Sequence, residues 1–261
     1  MTGIATPGRA RISARTLRTD RYWLQPAITF AIFMLFIVYA TWRAFENANY
    51  YAEPYISPFY SPGLTGKCAN GASDFGHWVP GWPLSPSLLI LIFPLGFRLT
   101  CYYYRKAYYR AFWLSPPACG VAEPHAKYTG ETRFPLIFQN IHRYFFYFAA
   151  IFSVILTWDA IHSFRNAQGQ WGHMGQGTLI VLVNAALIGL YTASCHSCRH
   201  VMGGRIRNFS KHPVRYKAWT VVSKLNARHM QLAWTSLVWL AVTDFYIRLL
   251  ATNAFSDPRF F

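Results

Sequence analysis

Five stretches of the chain are long and apolar enough to be predicted as membrane-spanning helices. Each comes close to or exceeds the roughly 20 mostly apolar residues that a helix needs to cross a bilayer. The second and the last also carry charged residues, so their ends are the least sharply defined. The pattern predicts an all-α integral membrane protein with one membrane domain over residues 1–261. This domain is expected to be a five-helix bundle, with transmembrane helices at about 23–44, 86–109, 135–163, 177–201 and 218–250.

Lys and Arg residues are concentrated in alternate connecting segments. Of the 25, 18 lie before the first predicted helix, between the second and third, or between the fourth and fifth, when the adjoining ends of those helices are included. Connections rich in Lys and Arg stay in the cytoplasm. We therefore expect a multi-pass protein of the inner (plasma) membrane with a cytoplasmic N-terminus and an outer C-terminus. The arginine-rich start precedes an apolar run too long for a cleaved signal peptide, which predicts an uncleaved first helix.

The longest outer connection, residues 46–85, is rich in Pro, Gly and aromatic residues. Aromatic residues at that level usually anchor a protein at the membrane interface. We predict that this segment forms a packed outer cap loop over the helix ends.

The composition narrows the class of protein further. The chain is 53 % hydrophobic and 13 % charged, which is typical of a membrane protein. Its net charge of +16 does not indicate nucleic-acid binding, because the basic residues lie between apolar runs. Five cysteines without regular spacing do not fit a secreted disulfide framework.

Four potential metal ligands lie within six residues at the end of the fourth apolar run. On a continuous helix Cys195 and Cys198 would be about 60° apart on one face, with His196 and His200 on the neighbouring face. One helix therefore cannot offer all four groups to a single ion. A site that uses the cysteine pair must take its other ligands from other helices.

Four predicted helices each bring a sulfur or imidazole ligand to a similar depth. At about 1.5 Å per residue, these side chains lie roughly 22 to 31 Å from the outer helix ends. Polar residues in hydrocarbon are costly and usually functional. We therefore predict a metal or cofactor layer in the cytoplasmic half of the bundle, contributed by Cys101, His142, Cys195, Cys198 and His229.

The ligand types suit three cofactors to different degrees. Two Cys and two His could hold a structural zinc ion, and His142 with His229 could hold a b-type haem. A Rieske-type [2Fe–2S] cluster takes two thiolates on one iron and two imidazoles on the other, which Cys195 and Cys198 with His142 and His229 would supply. Its raised potential suits electron transfer to quinone, although the loop motif of soluble Rieske domains is absent. Residues that could replace one of these ligands are Cys101, His196 and His200.

Reduction of a quinone needs hydrogen-bond partners and a proton donor beside an apolar slot. Polar and aromatic side chains near the predicted ligand layer could provide them. The candidates are Tyr102, Arg98, Arg143, Ser223, Asn226 and Trp234.

Two motifs and the five-helix layout carry a resemblance to a known family. The motifs are the stretches 98–106, RLTCYYYRK, and 195–200, CHSCRH. From the first helix to the fifth, the chain resembles the membrane anchor subunit of succinate dehydrogenase, of the actinobacterial (mycobacterial) type with a Rieske-type [2Fe–2S] cluster in place of haem.

The resemblance implies a respiratory-chain and tricarboxylic-acid-cycle complex. A flavoprotein subunit would oxidise succinate, and an iron–sulfur subunit would relay the electrons to the bundle. Menaquinone or ubiquinone would be reduced near the cytoplasmic face, and the anchor would not be catalytic alone. Lipid and further copies of the complex are additional expected partners, and the basic cytoplasmic face is a candidate docking surface.

Two alternatives remain at this stage. One is a haem b-type anchor that uses His142 and His229. The other is a membrane transporter or scaffold, whose polar layer would line a substrate path. Transport is disfavoured because no paired Gly/Pro-broken helices are evident, and the intramembrane acids are limited to Asp159 and Asp244 near the outer ends.

Overall fold

The computed structural model describes residues 18–64, 73–76, 82–122, 124–126, 133–204 and 206–261, without the side chains of residues 133–138. Parts of the basic N-terminal segment and of the predicted cap lie outside these residues. The chain divides into two compact units. The first comprises Met1–Leu35 and Leu99–Ile141, and the second Phe36–Arg98 and His142–Phe261.

Regular structure among the described residues is almost entirely helical. A two-stranded antiparallel hairpin, β1 (Tyr51–Ala52) and β2 (Tyr55–Ile56), follows the first helix, and a short 3-10 turn spans Phe209–Lys211. The helices are α1 (Leu24–Glu46), α2 (Ser87–Ile90), α3 (Ile92–Thr100), α4 (Tyr102–Ala111), α5 (Arg133–His162), α6 (Gln176–Ala193), α7 (His196–Gly203), α8 (Pro213–Asn226) and α9 (His229–Ala251).

Several helices have the length and apolar character that a membrane span requires. Within the described residues, Leu24–Glu46, Gln139–His162 and Gln176–Ala193 meet this requirement on their own. The bent pair Ser87–Thr100 and Tyr102–Ala111 would make a fourth span. The mostly helical structure with three or four such spans agrees with the predicted all-α membrane protein.

The second predicted helix, 86–109, is broken at two points. Helix α2 ends at Ile90 because Pro94 has no N–H to donate to the Ile90 carbonyl, and its ring would clash with that carbonyl. At Cys101 the backbone is extended, with φ −67° and ψ 134°. The two parts of the pair are bent by 72° there.

The fourth and fifth predicted helices are also interrupted. The expected continuous helix over 177–201 is wrong at Cys195, whose φ of −64° and ψ of 147° are extended, so that α6 and α7 are separate helices. The run 218–250 is likewise two helices, because Ala227 and Arg228 separate α8 from α9. The angular argument for Cys195 and Cys198 on one helix face therefore does not hold.

The first unit is held together by aromatic contacts. The ring of Phe33 is buried and lies 5.8 Å from Tyr104 and 5.9 Å from Phe112, edge-on to both. Phe30 also packs on Phe112, at 4.7 Å. Such edge-to-face pairs stabilise a core beyond the area that they bury.

Helices α6 and α9 form the centre of the second unit and run antiparallel. Ser194, just beyond the end of α6, is hydrogen-bonded to His229 at the start of α9. At the opposite end the N–H of Gly177 donates to Asp257, beyond the end of α9, at 2.8 Å. A core cluster that includes Ala185 and Ile247 packs between the two helices.

A buried network of charges joins α1 to α9 at one end of the second unit. The Arg43 guanidinium donates to both carboxylate oxygens of Asp244, at 2.7 and 3.0 Å. Arg43 also pairs with Glu46, which in turn accepts from Arg248 at 3.0 Å. Tyr39 and Ser57 donate to Asp244 as well. Buried charges are tolerated only when they are paired and hydrogen-bonded, as they are here.

Asp159 is held in a similar way near the end of α5. One carboxylate oxygen accepts the backbone N–H of Ser73 at 2.8 Å, and the other accepts hydroxyls from Ser61 and Ser73. Both acidic residues that were predicted inside the membrane thus bind the segment that follows α1. Their contacts explain how carboxylates are accommodated there.

Candidate functional site

The break between α6 and α7 is stabilised by side chains. The Ser194 carbonyl, which has no partner within α6, accepts the Asn226 amide at 2.7 Å. The backbone N–H of Ser197 donates to Sγ of Cys195 at 3.3 Å, so Cys195 caps the N-terminus of α7. Irregular backbone inside a membrane protein needs such partners.

His142 of α5 contacts this cysteine directly. Its Nε2 lies 3.1 Å from Sγ of Cys195, and both side chains are buried. The Phe97 ring stacks nearly parallel on the imidazole, with ring centres 4.7 Å apart and planes inclined by 7°. Two of the predicted ligands are therefore in contact, and the orientation of the imidazole is fixed by packing.

His229, the first residue of α9, is oriented by Ser194. The Ser194 hydroxyl donates to the Tyr191 carbonyl at 2.9 Å and lies 2.7 Å from Nδ1 of His229. Because a hydroxyl has one hydrogen, the Ser194 oxygen accepts from an Nδ1–H. In that tautomer Nε2 carries the lone pair that can bind a metal.

Aromatic rings connect the two histidines. The Tyr191 ring stacks on His229 at 5.1 Å with an 8° inclination, and Phe97 lies 5.2 Å from Tyr191. The imidazoles are thus linked through Phe97 and Tyr191. A bis-histidine haem, in contrast, needs its two imidazoles to face each other across the macrocycle.

Arg98 supplies a positive charge beside these rings. Its guanidinium lies 4.8 Å from the centre of the Tyr191 ring, a cation–π contact. It also donates to the Ala233 carbonyl at 3.3 Å and to the Ser236 hydroxyl at 3.2 Å. The residue is half-buried, so this charge lies at the edge of the histidine and cysteine cluster.

The other candidate ligands differ in burial. Cys198 is buried on α7, whereas His196 and His200 on the same helix are exposed. Cys101 is buried in the first unit, at the N-terminus of α4. The exposed histidines are the weakest candidates, because neither is enclosed by the chain.

Several predicted quinone contacts have structural partners. Ser223 accepts from Arg199 at 3.0 Å, and Asn226 bonds the Ser194 carbonyl as described above. Arg143 and Tyr102 are exposed, and Trp234 is half-buried. Asn226 thus supports the helix break, and Ser223 ties α8 to α7. Neither role was predicted from the sequence.

Four residues that contact predicted site residues were not predicted from the sequence. Tyr191 lies about one helical turn before Cys195, and Ser194 directly precedes it. Proximity along the chain could therefore have indicated both residues. Phe97 and Ser236 come from other helices, and no sequence signal connects them to the site. The missed residues are Phe97, Tyr191, Ser194 and Ser236.

The donor set can be tested against each cofactor class. In the part of the chain that the structure describes, no three His, Cys, Asp or Glu side chains lie close enough to hold one metal ion. That arrangement does not fit a four-ligand zinc site. A Rieske-type cluster needs only two protein ligands on each iron. Two buried thiols and two buried imidazoles around one helix break therefore fit such a cluster in donor chemistry.

Comparison with known proteins identifies the family. The family model for the actinobacterial succinate dehydrogenase subunit SdhC matches residues 24–253. A chain of the Mycobacterium smegmatis Sdh1 complex in the apo form is 55 % identical to this one, with both chains covered over 100 % of their length and a TM-score of 0.85. Among curated protein sequences no relative matches. The chain therefore belongs to the actinobacterial SdhC family and is a membrane anchor subunit of a succinate dehydrogenase complex, not catalytic alone.

Proposed function

We propose that this subunit transfers electrons from a partner iron–sulfur subunit to a quinone through a Rieske-type [2Fe–2S] cluster. Cys195 and Cys198 would hold one iron, and His142 and His229 the other. The observation that carries the proposal is the 3.1 Å contact between His142 Nε2 and Cys195 Sγ, inside a buried helix break that also binds His229.

Contacts around the four proposed ligands would orient them for an electron-transfer role. When bound, a Rieske-type cluster accepts and passes on one electron at a potential raised by its imidazole ligands. The Ser197 N–H stabilises negative charge on the Cys195 sulfur. Ser194 fixes the tautomer of His229, and Phe97 and Tyr191 fix the planes of the two imidazoles. Such supporting contacts tune affinity and potential.

Reduction of the quinone to a quinol consumes two electrons and two protons. Arg98 is the best placed of the predicted contacts, because its half-buried guanidinium carries N–H donors beside Tyr191. Trp234, half-buried on α9, could form part of the apolar slot. Tyr102, Arg143, Ser223 and Asn226 remain candidates. The quinone would be menaquinone or ubiquinone.

The proposed assembly places this chain in the plasma membrane with a cytoplasmic N-terminus. Helix α9 would complete a set of five spans, since it runs antiparallel to α6 over a similar length. An iron–sulfur subunit and a flavoprotein subunit would dock on the cytoplasmic side. The concentration of Lys and Arg in the cytoplasmic connections supports this orientation.

Substitution of one thiol separates the cluster from the haem alternative. In the purified complex, Cys198→Ser should lower the non-haem iron content by the iron of this one cluster and abolish quinone reduction, while succinate oxidation with a soluble dye continues in the partner subunits. Cys119→Ser, at an exposed thiol in the first unit, is the matched control and should change neither. Unchanged iron in Cys198→Ser would exclude Cys198 as a ligand. Loss of haem in His142→Ala, with none in Cys198→Ser, would favour the haem b anchor.

A further inference from the structure

Helix α8 exposes an apolar stripe. Val214, Ala218, Val221 and Leu225 recur at helical spacing on one face. Val214 is 81 % exposed and Val221 53 % exposed, whereas Val222 on the adjoining face is buried. Val214 and Val221 are therefore turned away from the described part of the chain, while Ala218 and Leu225 between and beyond them are half-buried.

The opposite side of α8 holds the helix on α7 and the end of α6. The Arg199 guanidinium lies 4.9 Å from the Trp219 ring and donates to Ser223. Arg215 donates to the carbonyl of Met202, near the end of α7. These contacts fix the rotation of α8 about its own axis, so the exposure of the stripe follows from packing.

Exposed cations border the stripe. Lys217 and Lys224 are seven residues apart and therefore lie on the same edge of it. The chain has no Asp or Glu between Asp159 and Asp244, and the ion pairs found among the described residues do not include these lysines. Further exposed cations nearby are Arg207, Lys211 and Arg228. The surface therefore complements a negatively charged partner.

The position of α8 relates this surface to the edge of the membrane. Helix α6 has 18 residues, a length of about 27 Å that nearly matches a hydrocarbon core about 30 Å thick. Asn226, at the end of α8, bonds the Ser194 carbonyl just beyond α6, and α9 begins at His229. Helix α8 is thus tied to the level at which α6 leaves the membrane.

An aromatic cluster lies at the same place. The rings of Phe209, Tyr216 and Trp219 lie 5.3 to 6.1 Å from one another. Tyr and Trp concentrate at membrane interfaces, where one end of the side chain is apolar and the other is hydrated. Trp219 packs against Arg199 of α7, on the side of α8 opposite the stripe. The apolar stripe and its flanking lysines are therefore the features of α8 that match a helix lying in the plane of the membrane.

We propose that α8 lies in the cytoplasmic membrane interface, with its valine stripe among acyl chains, and that Lys217 and Lys224 bind anionic phospholipid headgroups. A lipid partner accounts for both properties of the surface, because Val214 and Val221 need an apolar environment beside the lysines. An acidic protein surface would satisfy the lysines and leave the valines unmatched.

Accessibility of a spin label tests this proposal in the whole complex. Val221→Cys, combined with Cys119→Ser, is labelled with a nitroxide, and the signal of Cys119→Ser alone is subtracted. The complex is placed in discs of phosphatidylcholine with or without phosphatidylglycerol, and relaxation by oxygen and by a nickel chelate is compared. The test variant is the labelled protein that also carries Lys217→Gln and Lys224→Gln. Lys106→Gln with Arg110→Gln, cations on α4, is the matched control.

The proposal predicts that oxygen relaxes the label more strongly than the nickel chelate does. The oxygen-to-nickel ratio should be higher in discs that contain phosphatidylglycerol. Loss of both lysines should lower the oxygen-to-nickel ratio at least about fivefold in the anionic discs, and the control should not change it. A label that neither reagent reaches would mean that a protein partner covers α8. A label that nickel reaches in every lipid, or one insensitive to phosphatidylglycerol and to the lysines, would equally overturn the proposal.

Discussion

Nε2 of His142 lies 3.1 Å from Sγ of Cys195, although the two residues are 53 positions apart in the chain. The contact brings α5 to the break between α6 and α7. It joins an imidazole to a sulfur that also accepts the backbone N–H of Ser197. This contact underlies our assignment of the cofactor site. The residues that surround it can be tested one at a time.

Ser194→Ala should weaken the site without removing a ligand. The variant removes the oxygen that accepts from Nδ1 of His229, so the tautomer and orientation of that imidazole are no longer fixed. Loss of such a supporting contact typically lowers metal affinity or activity about 10- to 100-fold. Quinone reduction and iron content per complex measure the effect. Thr235→Ala, at an exposed position on α9, is the control; equal activity in the two variants would contradict a supporting role.

Arg98→Lys should impair quinone reduction even though it keeps the positive charge. The planar guanidinium donates to Ala233 and Ser236 while lying over Tyr191, an arrangement that an ammonium group cannot reproduce. We expect a raised KM for quinone or a lower kcat, with dye-linked succinate oxidation unchanged. Wild-type kinetics in Arg98→Lys would remove Arg98 from the proposed quinone site.

Two glycines offer a matched pair of packing variants. A Cβ at Gly96 would lie 2.2 to 2.6 Å from atoms of the Phe145 ring, whereas a Cβ at Gly189 would meet nothing within 4 Å. Gly96→Ala should therefore force α3 away from α5 and disturb the Phe97–His142 stack, at a cost of about 1–3 kcal/mol. Gly189→Ala should be neutral or stabilising by up to about 1 kcal/mol.

Thermal unfolding of the purified complex distinguishes these two glycine variants. We expect a lower midpoint and weaker quinone reduction for Gly96→Ala only. A tolerated alanine at Gly96 would show that the close approach of α3 to α5 is not needed.

Asp244→Asn should destabilise the subunit strongly. It removes the fully buried one of the two carboxylates that pair with Arg43, and breaking a buried ion pair typically costs about 3–5 kcal/mol. Arg248→Gln removes a partly exposed partner of Glu46 and should cost much less. The midpoint of thermal unfolding, measured for both variants, checks the order. Similar midpoints would mean that the Arg43–Asp244 pair is not a main support of the contact between α1 and α9.

The hydrophobic pattern predicted where helices lie better than where they break. Residues 23–44 and 135–163 were located to within about two residues, because a long apolar run has few alternatives in a membrane. The interruption at Cys195 depends on a tertiary partner. At this break the amide of Asn226 stabilises the Ser194 carbonyl from another helix.

The candidate site was predictable in composition and only partly in geometry. Counting depth along the helices brought His142 and Cys195 to the same layer, and the structure shows them in contact. The stacking of Phe97 and Tyr191 on the histidines depends on side-chain orientation across helices, which helical spacing in one sequence does not contain.

The most direct test of the account is a spectrum of the purified, dithionite-reduced complex, with iron and haem quantified. Electron paramagnetic resonance and optical absorption are recorded for the wild type and for Cys198→Ser. We expect the reduced wild type to give the signal of a Rieske-type cluster and no b-type Soret band, and Cys198→Ser to lose that signal. A sharp Soret band, or a wild-type spectrum without the cluster signal, would contradict the account.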